Sequence, residues 1–438
     1  MLYSCGTSLS MDSKEQLEIE DFLTIKHAVV DVRPFTILIG REATGKSVIA
    51  KVLYFFRSLL SDGQFIDSIG RQDSFSRFEE RSLERFAEIF PKYAWEDQKF
   101  SLTFTTDRWE LKLLHTPSFG QNSGLTLCCS EGLIDLFNRA QAEYRRFRAT
   151  EFVDSHSFDP QTHRDFSEVL RDMISDAGLE AVLNKSVFVP AGRAFFANFQ
   201  RNIFSFLVKD ISLDPLIKEF GSAYETMRPY FNFYPNTGYF NQNEAIRDEV
   251  REILNGDYLH AEGEDWIVSE GKRTGLAHAS SGQQEAVPLL CVLSALLHRF
   301  QGVITLFVEE PEAHLYPPSQ RSVVNILSIA ARIAGRRANE FILTTHSPYI
   351  LTALNILILA SNISERSPET AENVERIIAP GEPIRFDEVS AYKIESGRLW
   401  SIMDHESNLI GDSIIDEVSD TFESVTNELL KLDLSRAS

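Results

Sequence analysis

Apolar positions along the chain follow two periods. Short unbroken runs at Phe35 to Ile39, Val303 to Val308 and Phe341 to Thr344 have the length and β-branched content of buried strands. Strict alternation through Phe100, Leu102 and Phe104, then Trp109, Leu111 and Leu113, then Leu125 and Leu127, predicts antiparallel strands. Helical spacing takes over from Val48 to Leu60, from Ala286 to Leu297, and through Val323, Ile326, Leu327, Ala330 and Ile333. It also marks Gly132 to Lys185, first through Leu133, Leu136 and Phe137, later through Phe166, Val169, Leu170 and Met173. No heptad persists there, so a long coiled coil is not expected. Ile246, Val250 and Ile253 predict an amphipathic helix stopping near Gly256, and Trp266 to Val268 a strand. A strand pair around Tyr392 to Met403 and a helical tail from Asp412 to Leu430 close the chain. The mixture predicts an α/β fold.

Four motifs sit at the ends of these elements. Gly40-Arg41-Glu42-Ala43-Thr44-Gly45-Lys46-Ser47 fits the glycine-rich phosphate loop and stands between a predicted strand and helix, as such a loop requires. Lys46 is expected to reach the β- and γ-phosphates of a nucleotide, with the Ser47 hydroxyl on Mg²⁺. Glu309 and Glu310 end the second apolar run; we expect Glu309 in the metal shell and Glu310 as the base for an attacking water. The alternative is that both acids simply open the next helix, with Pro311 in its first turn. His346 follows the third run, where an α/β sheet places its ligands; it either senses a γ-phosphate or caps backbone. Ser280-Ser281-Gly282-Gln283 precedes an apolar helix and offers hydroxyls, close backbone approach and a helix N-terminus to an anion, or alternatively an ordinary serine cap. Since the chain already has a phosphate loop, the anion served here is expected to be a partner's γ-phosphate.

Taken together, these motifs resemble an ABC-type ATPase of the SMC and Rad50 superfamily, closest to the OLD-like ATPases of bacterial antiphage defence. The resemblance implies a signature at Ser280 to Gln283, Walker B acids at Glu309 and Glu310, a dimer-contact loop at Ala313-His314-Leu315 and a switch histidine at His346. It extends to the opening strands from Leu17 into the loop, to Val187 to Arg193, and to Tyr392 to Trp400. It implies an ATPase head with a phosphate-loop mixed sheet, an antiparallel β lobe and a helical, aromatic-rich insertion. The cofactors are then ATP and Mg²⁺, and the assembly a homodimer or higher homo-oligomer.

The sequence departs from that pattern at Ala43, where glycine is usual, and at Glu42, where asparagine is common. A methyl group at a position needing positive φ, and a carboxylate beside phosphates, would weaken or slow nucleotide use. Ser281 replaces a glycine, and Glu309 an aspartate. Gln200 is the candidate for the glutamine that joins nucleotide state to the rest of such proteins.

Composition narrows the picture further. The 438 residues carry 64 acids against 43 bases, a net charge of −21, which disfavours DNA binding over a broad surface while leaving a local basic patch open. Arg145-Arg146-Arg148, Arg332-Arg336-Arg337 and Lys272-Arg273 are the places for one. Cys5, Cys128, Cys129 and Cys291 suit neither zinc nor a disulfide framework and read as buried thiols. With no signal peptide and no run long enough to span a bilayer, a cytoplasmic protein with no membrane partner is expected. Residues 1–130 and 263–438 are expected to form the ATPase head around an insertion at 131–262. Within it, Ala194 to Phe240 is dense in aromatics, which form either a helical core or a surface that stacks bases or anchors a partner. The expected function is an ATP-hydrolysing sensor or regulator that controls a separately encoded nuclease or toxin, because no nuclease domain follows His346. A DNA repair or maintenance ATPase is the alternative.

Overall fold

The computed structural model describes residues 15–60, 64–117, 124–153, 173, 184–199, 213–233, 244–300, 302–333, 338–379 and 381–411. The chain divides into two compact units, Met1–Arg33 with Val48–Ser186, and Pro34–Ser47 with Val187–Ser438.

In the first unit, β1 (Glu15–Phe22), β2 (Ile25–Val32), β4 (Phe100–Thr105), β5 (Glu110–His115) and β6 (Leu125–Cys129) lie in the order β6-β5-β4-β1-β2, all antiparallel. The register follows the alternation in the sequence. Leu17 faces Phe104, Ile19 faces Leu102, Leu102 faces Leu113 and Leu113 faces Leu127, so one side of the sheet is continuously apolar and buried. Helices α1 (Lys46–Leu60), α2 (Gln64–Gly70), α3 (Phe75–Ile89) and α4 (Glu131–Val153) contribute here, α1 from Val48 onward. Their phenylalanines close the core: Phe56 stacks on Phe104 at 5.7 Å, and Phe86 meets Phe22, Phe55 and Phe100. The buried Arg57–Glu15 ion pair sits within this unit.

The second unit is a mixed sheet. Its strands are β3 (Phe35–Ile39), β7 (Lys185–Val189), β11 (Ile304–Glu309), β12 (Glu340–Thr345), β13 (Val389–Glu395) and β14 (Arg398–Ser401), in the order β14-β13-β3-β12-β11-β7. β3 is buried along its whole length and runs parallel to both neighbours, β12 and β13, as expected of an unbroken apolar strand. β11 is parallel to β12, so four parallel strands, β13, β3, β12 and β11, end on one side of the sheet. Around them lie α5 (Ala194–Phe199), α6 (Pro215–Phe233), α7 (Glu244–Leu254), α8 (Ser281–Arg299), α9 (Pro317–Ala331), α10 (Pro348–Ser364) and α11 (Pro368–Glu375). A small antiparallel sheet joins β8 (Asp257–Ala261), β9 (Glu264–Ser269) and β10 (Lys272–Gly275). Helix α8 is buried almost all round, which explains its lack of a polar face. The chain is thus an α/β protein with a phosphate-loop mixed sheet and an antiparallel β lobe.

Three expectations need correction or limits. Pro311 does not open a helix: residues 311–314 form a turn, and α9 begins only at Pro317. Glu310 and His314 both have left-handed backbone, φ 46° and 58°, which interrupts any helix there. Cys291 is a buried thiol, as expected, but Cys128 is exposed. In the aromatic segment, Phe196, Phe220 and Tyr224 are core residues of the second unit, with Phe195 and Phe231 packed against them. Gln200, Phe204, Phe206, Arg336, Arg337 and the tail from Asp412 lie outside the described residues.

Candidate functional site

All four motifs belong to the second unit. The phosphate loop leaves β3 and enters α1 without a break. Gly40 must be glycine because a Cβ there would lie 2.8 Å from the Ile394 carbonyl oxygen on β13. Thr44 Oγ1 closes the loop by donating to Arg41 O at 2.8 Å. Ala43 has φ 57° and Gly45 φ 106°. Ala43 therefore occupies the conformation in which glycine is favoured, at a cost of about 1 kcal/mol.

Lys46 folds back over this loop. Its Nζ donates to Gly40 O at 2.7 Å and Arg41 O at 2.8 Å, and lies 3.2 Å from His346 Nδ1. Burial pulls the Lys46 pKa down, against the pull of Glu310, Glu42 and Glu312. Glu42 projects into solvent with an oxygen 3.7 Å from His346 Nδ1. A hydrogen bond within its own residue, then the His346 and Lys46 charges, hold its carboxyl below the usual range. Ser47 is exposed in the first turn of α1.

His346 follows β12 and joins this loop to the acids after β11. Its Nδ1 lies 3.0 Å from Gly40 O and its Nε2 3.1 Å from Glu310 Oε1. The ring is aimed by its own backbone, whose N–H donates to Glu312 Oε1 at 2.8 Å; Thr345 Oγ1 donates to the same oxygen at 2.6 Å. Ser347 caps α10. The Glu310 backbone N–H donates to Thr344 O at 2.8 Å, tying the two strand ends together.

Two carboxylate oxygens here are buried without a donor among the described residues, Glu309 Oε1 and Glu312 Oε2. Glu309 Oε2 accepts the Ala191 N–H at 3.2 Å. Such orphan oxygens cost about 1–3 kcal/mol each in a dry site. Buried carboxylate oxygens without a donor are what a hard divalent cation takes, and a loop with left-handed backbone opening a helix suits phosphates, so these residues fit a magnesium nucleotide.

Beneath the acids lies Arg193, fully buried. Gly192, at φ 71°, turns the chain after β7 so that the side chain enters the core. Its Nε donates to Glu285 O at 3.0 Å, Nη1 to Pro190 O at 3.0 Å and Glu309 O at 2.6 Å, and Nη2 to Glu310 O at 2.9 Å. Glu285 answers by accepting the backbone N–H groups of Arg193 and Ala194 at 2.8 and 3.0 Å. Burial lowers the Arg193 pKa, while the surrounding carboxylates, Glu285 first, oppose it.

The signature motif forms the first turn of α8. Ser280 and Gln283 make a reciprocal capping box, and Gln283 Nε2 also donates to Leu254 O at 2.5 Å. Gly282 is required by packing: a Cβ there would meet His314 O at 2.8 Å and Leu315 Cδ2 at 3.1 Å. The structure therefore gathers Gly40, Arg41, Glu42, Lys46, Glu310 and His346 through direct contacts, and sets Glu309 beside them. It places Ser280 to Gln283 against the 311–314 turn, with no hydrogen bond to the phosphate loop among the described residues.

Residues 198–352 match the family described as AAA domain, putative AbiEii toxin, Type IV TA system. That AAA-type segment includes the signature, both strand-end acids and His346, and stops short of the phosphate loop on its N-terminal side. Among solved structures, the chain is similar to an SMC head bound to the C-winged helix domain of ScpA, at 13% identity over 90% of this chain and 99% of that one, TM-score 0.40. It is also similar to the SMC head domain from Thermotoga maritima, at 11% identity over 90% and 98% of the two chains, TM-score 0.35. A further likeness is to the recombination mediator RecF, at 10% identity over 89% and 98%, TM-score 0.33. Comparison with curated proteins returns no match.

Sequence reasoning gave no role to Arg193, Glu285 or Glu312. The available signals were the glycine before an arginine at the end of Val187 to Arg193, and the third acid in Glu309-Glu310-Pro311-Glu312.

Proposed function

We propose that the chain binds and hydrolyses ATP with Mg²⁺, and that two copies close on the nucleotide. The observation that carries this is the chain of contacts Lys46–His346–Glu310, with His346 Nδ1 at 3.2 Å from Lys46 Nζ and Nε2 at 3.1 Å from Glu310 Oε1. A phosphate-binding cation, a polar sensor and a carboxylate for the attacking water stand in the order that phosphoryl transfer needs.

In this reading Lys46 leaves the Gly40 and Arg41 carbonyls to pair with the β- and γ-phosphates. Ser47 and Glu309 hold the magnesium ion, which when bound neutralises charge on the phosphates. Glu310 takes a proton from water on its Oε1, with His346 Nε2 alongside to orient it. Arg41, Glu42, Ala43, Thr44 and Gly45 wrap the phosphates with Gly40. Ser280, Ser281, Gly282 and Gln283 meet the γ-phosphate held by the other copy, which makes the homodimer or a higher homo-oligomer depend on nucleotide.

The biological setting we infer is that of a cytoplasmic OLD-like regulator in antiphage defence, controlling a separately encoded effector, a nuclease or toxin. The matched family description names a putative toxin and a type IV TA system, which bears on a toxin–antitoxin setting; the antiphage role and the separate effector are our inference from the motifs. The DNA-clamp alternative gains little from the basic clusters. Arg332 is engaged by Glu388 at 2.8 and 2.9 Å, and Arg146 pairs with Glu143.

Equilibrium binding of ATP and steady-state turnover test the reading. Lys46→Ala is expected to abolish ATP binding, and Glu310→Gln to retain ATP and accumulate a dimer. Turnover in Glu310→Gln close to wild type would defeat it. Recovery of tagged Glu310→Gln protein with a stoichiometric nuclease or toxin supports the regulator role; abundant DNA without such a partner overturns it.

A further inference from the structure

Arg193 is fully buried and makes four hydrogen bonds through its guanidinium, yet nothing in the proposed chemistry uses it. Its guanidinium spans three chain segments that lie far apart in sequence. It reaches the carbonyls of Glu309 and Glu310 at the end of β11, Pro190 O in its own turn, and Glu285 O one turn into α8. Glu285 lies five residues after Ser280, the cap of the signature helix. Its carboxylate fixes the turn that carries Arg193 by accepting two backbone N–H groups, and lies 3.4 Å from Nε.

We propose that Arg193, through Glu285, is a positioning residue that couples the signature helix to the conformation of Glu310. The inference rests on the ATPase reading above. Glu310 has left-handed backbone, φ 46°, an arrangement that a non-glycine residue keeps only when its surroundings over-determine it. Arg193 supplies that constraint by donating to the carbonyls of the two peptides that flank the Glu310 α-carbon, Glu309 O and Glu310's own. A rigid planar fork is suited to holding several acceptors at once, which a single ammonium is not. When a phosphate of the other copy engages the first turn of α8, any displacement of that turn moves Glu285. The displacement then reaches the Glu310 peptide through Arg193, and with it the carboxylate beside His346. Signature engagement is thereby a condition for placing the base, not only a clamp on the nucleotide.

Arg193→Lys tests this, with Glu285→Gln carried in parallel so that a poorly folded lysine variant does not end the experiment. ATP affinity, kcat, melting temperature and amide hydrogen exchange are measured on the full chain. The expected result is ATP affinity within about threefold of wild type, because the Lys46 loop is untouched, and kcat lower by about 100-fold, the scale of a small misplacement of a reacting group. Exchange at the amides of Glu310 and Ala313 is expected to accelerate at least about tenfold, their bonds to Thr344 O and Glu310 O being held by the arginine. Affinity and kcat falling together with the melting temperature would mark a purely structural arginine and overturn the proposal. So would unchanged exchange at Glu310 and Ala313 in a folded variant. If wild type binds ATP without hydrolysing it, the hydrolase reading fails by itself, and the exchange result alone decides the coupling.

Discussion

Replacing Gly282 with alanine sets two effects of known size against each other. A Cβ at this position would lie 2.8 Å from the His314 carbonyl oxygen and 3.1 Å from Leu315 Cδ2, whereas ordinary contact begins near 3.4 Å. The helix end or the turn must therefore give by roughly half an ångström, on the steep side of the van der Waals well. The leucine end can rotate away, but the carbonyl is backbone. It belongs to a turn in which His314 has φ 58° and the Ala313 and Leu315 amides donate to Glu310 O and Glu312 O at 3.0 and 2.9 Å. Overpacking against such a rigid segment costs about 1–3 kcal/mol. The better helix propensity of alanine returns at most about 1 kcal/mol, and less in a first turn. A net loss of about 1–2 kcal/mol is expected, read as a lower urea midpoint with unchanged slope. Gly132, in the first turn of α4, is the control, because a Cβ there would meet nothing within 4 Å. Gly132→Ala is expected to be neutral or stabilising by up to about 1 kcal/mol. A Gly282→Ala protein as stable as wild type would refute the contact between α8 and the 311–314 turn.

At Ala43, relief of left-handed strain by glycine, about 1 kcal/mol, is nearly offset by the greater freedom of glycine in the unfolded chain, so Ala43→Gly is expected to shift the urea midpoint little. Ala43→Val puts a β-branched residue in the same conformation and is expected to cost about 2 kcal/mol; equal stabilities for the two variants would mean that position 43 is not left-handed. Glu382 supplies a pH test. Burial, with Glu249 nearby, pushes its carboxyl up to about 7 from an ordinary value of 4.5. The folded state therefore holds a proton that the unfolded state releases between pH 4.5 and about 7, and this group's stabilising share, up to about 3 kcal/mol, is lost as pH rises through that window. Urea titrations across the window are expected to show that slope in wild type and a flatter profile in Glu382→Gln; identical profiles would reject the assignment.

What the sequence disclosed and what it hid divide along physical lines. β3, α1, β11 and β12 were legible because a buried parallel strand must be apolar at successive positions and a phosphate loop must have its glycines at set spacing. The antiparallel strands were legible because one buried face imposes alternation. The amphipathic α7 was legible for the same kind of reason, with Ile246, Val250 and Ile253 all buried. Arg193 and Glu285 were not, because their partners are carbonyl and amide groups that every residue carries. The bonds join positions 92 and 116 apart, and leave no side-chain pattern to read. The turn after Glu310 was not legible for a related reason. Proline after two acids fits a helix start, and only the left-handed backbone of Glu310 and His314, which those side chains do not announce, turns the chain aside.

The unfavourable features of this molecule cluster where a phosphate and a cation would relieve them. Ala43, Glu310 and His314 hold left-handed backbone within the phosphate-loop and β11 motifs. Glu309 Oε1 and Glu312 Oε2 are buried carboxylate oxygens without a donor among the described residues, and Lys46 spends its ammonium on two loop carbonyls. Several of the other left-handed residues, such as Glu262, Glu270 and Ser396, lie in tight strand connections, where such backbone has a local cause. Glu310 lies in no such tight connection, and strain of about 1–3 kcal/mol per residue persists only where packing enforces it. Arg193 enforces it at Glu310, Glu312 aims His346, and Gly282 lets α8 press on the turn between them. A fold that invests this much constraint in one strand end, beside a cation held by two loop carbonyls and an imidazole nitrogen, is pre-organised for an anionic ligand with its own counter-ion, and in the function proposed above the stabilisation that ligand gives is the free energy that couples two copies.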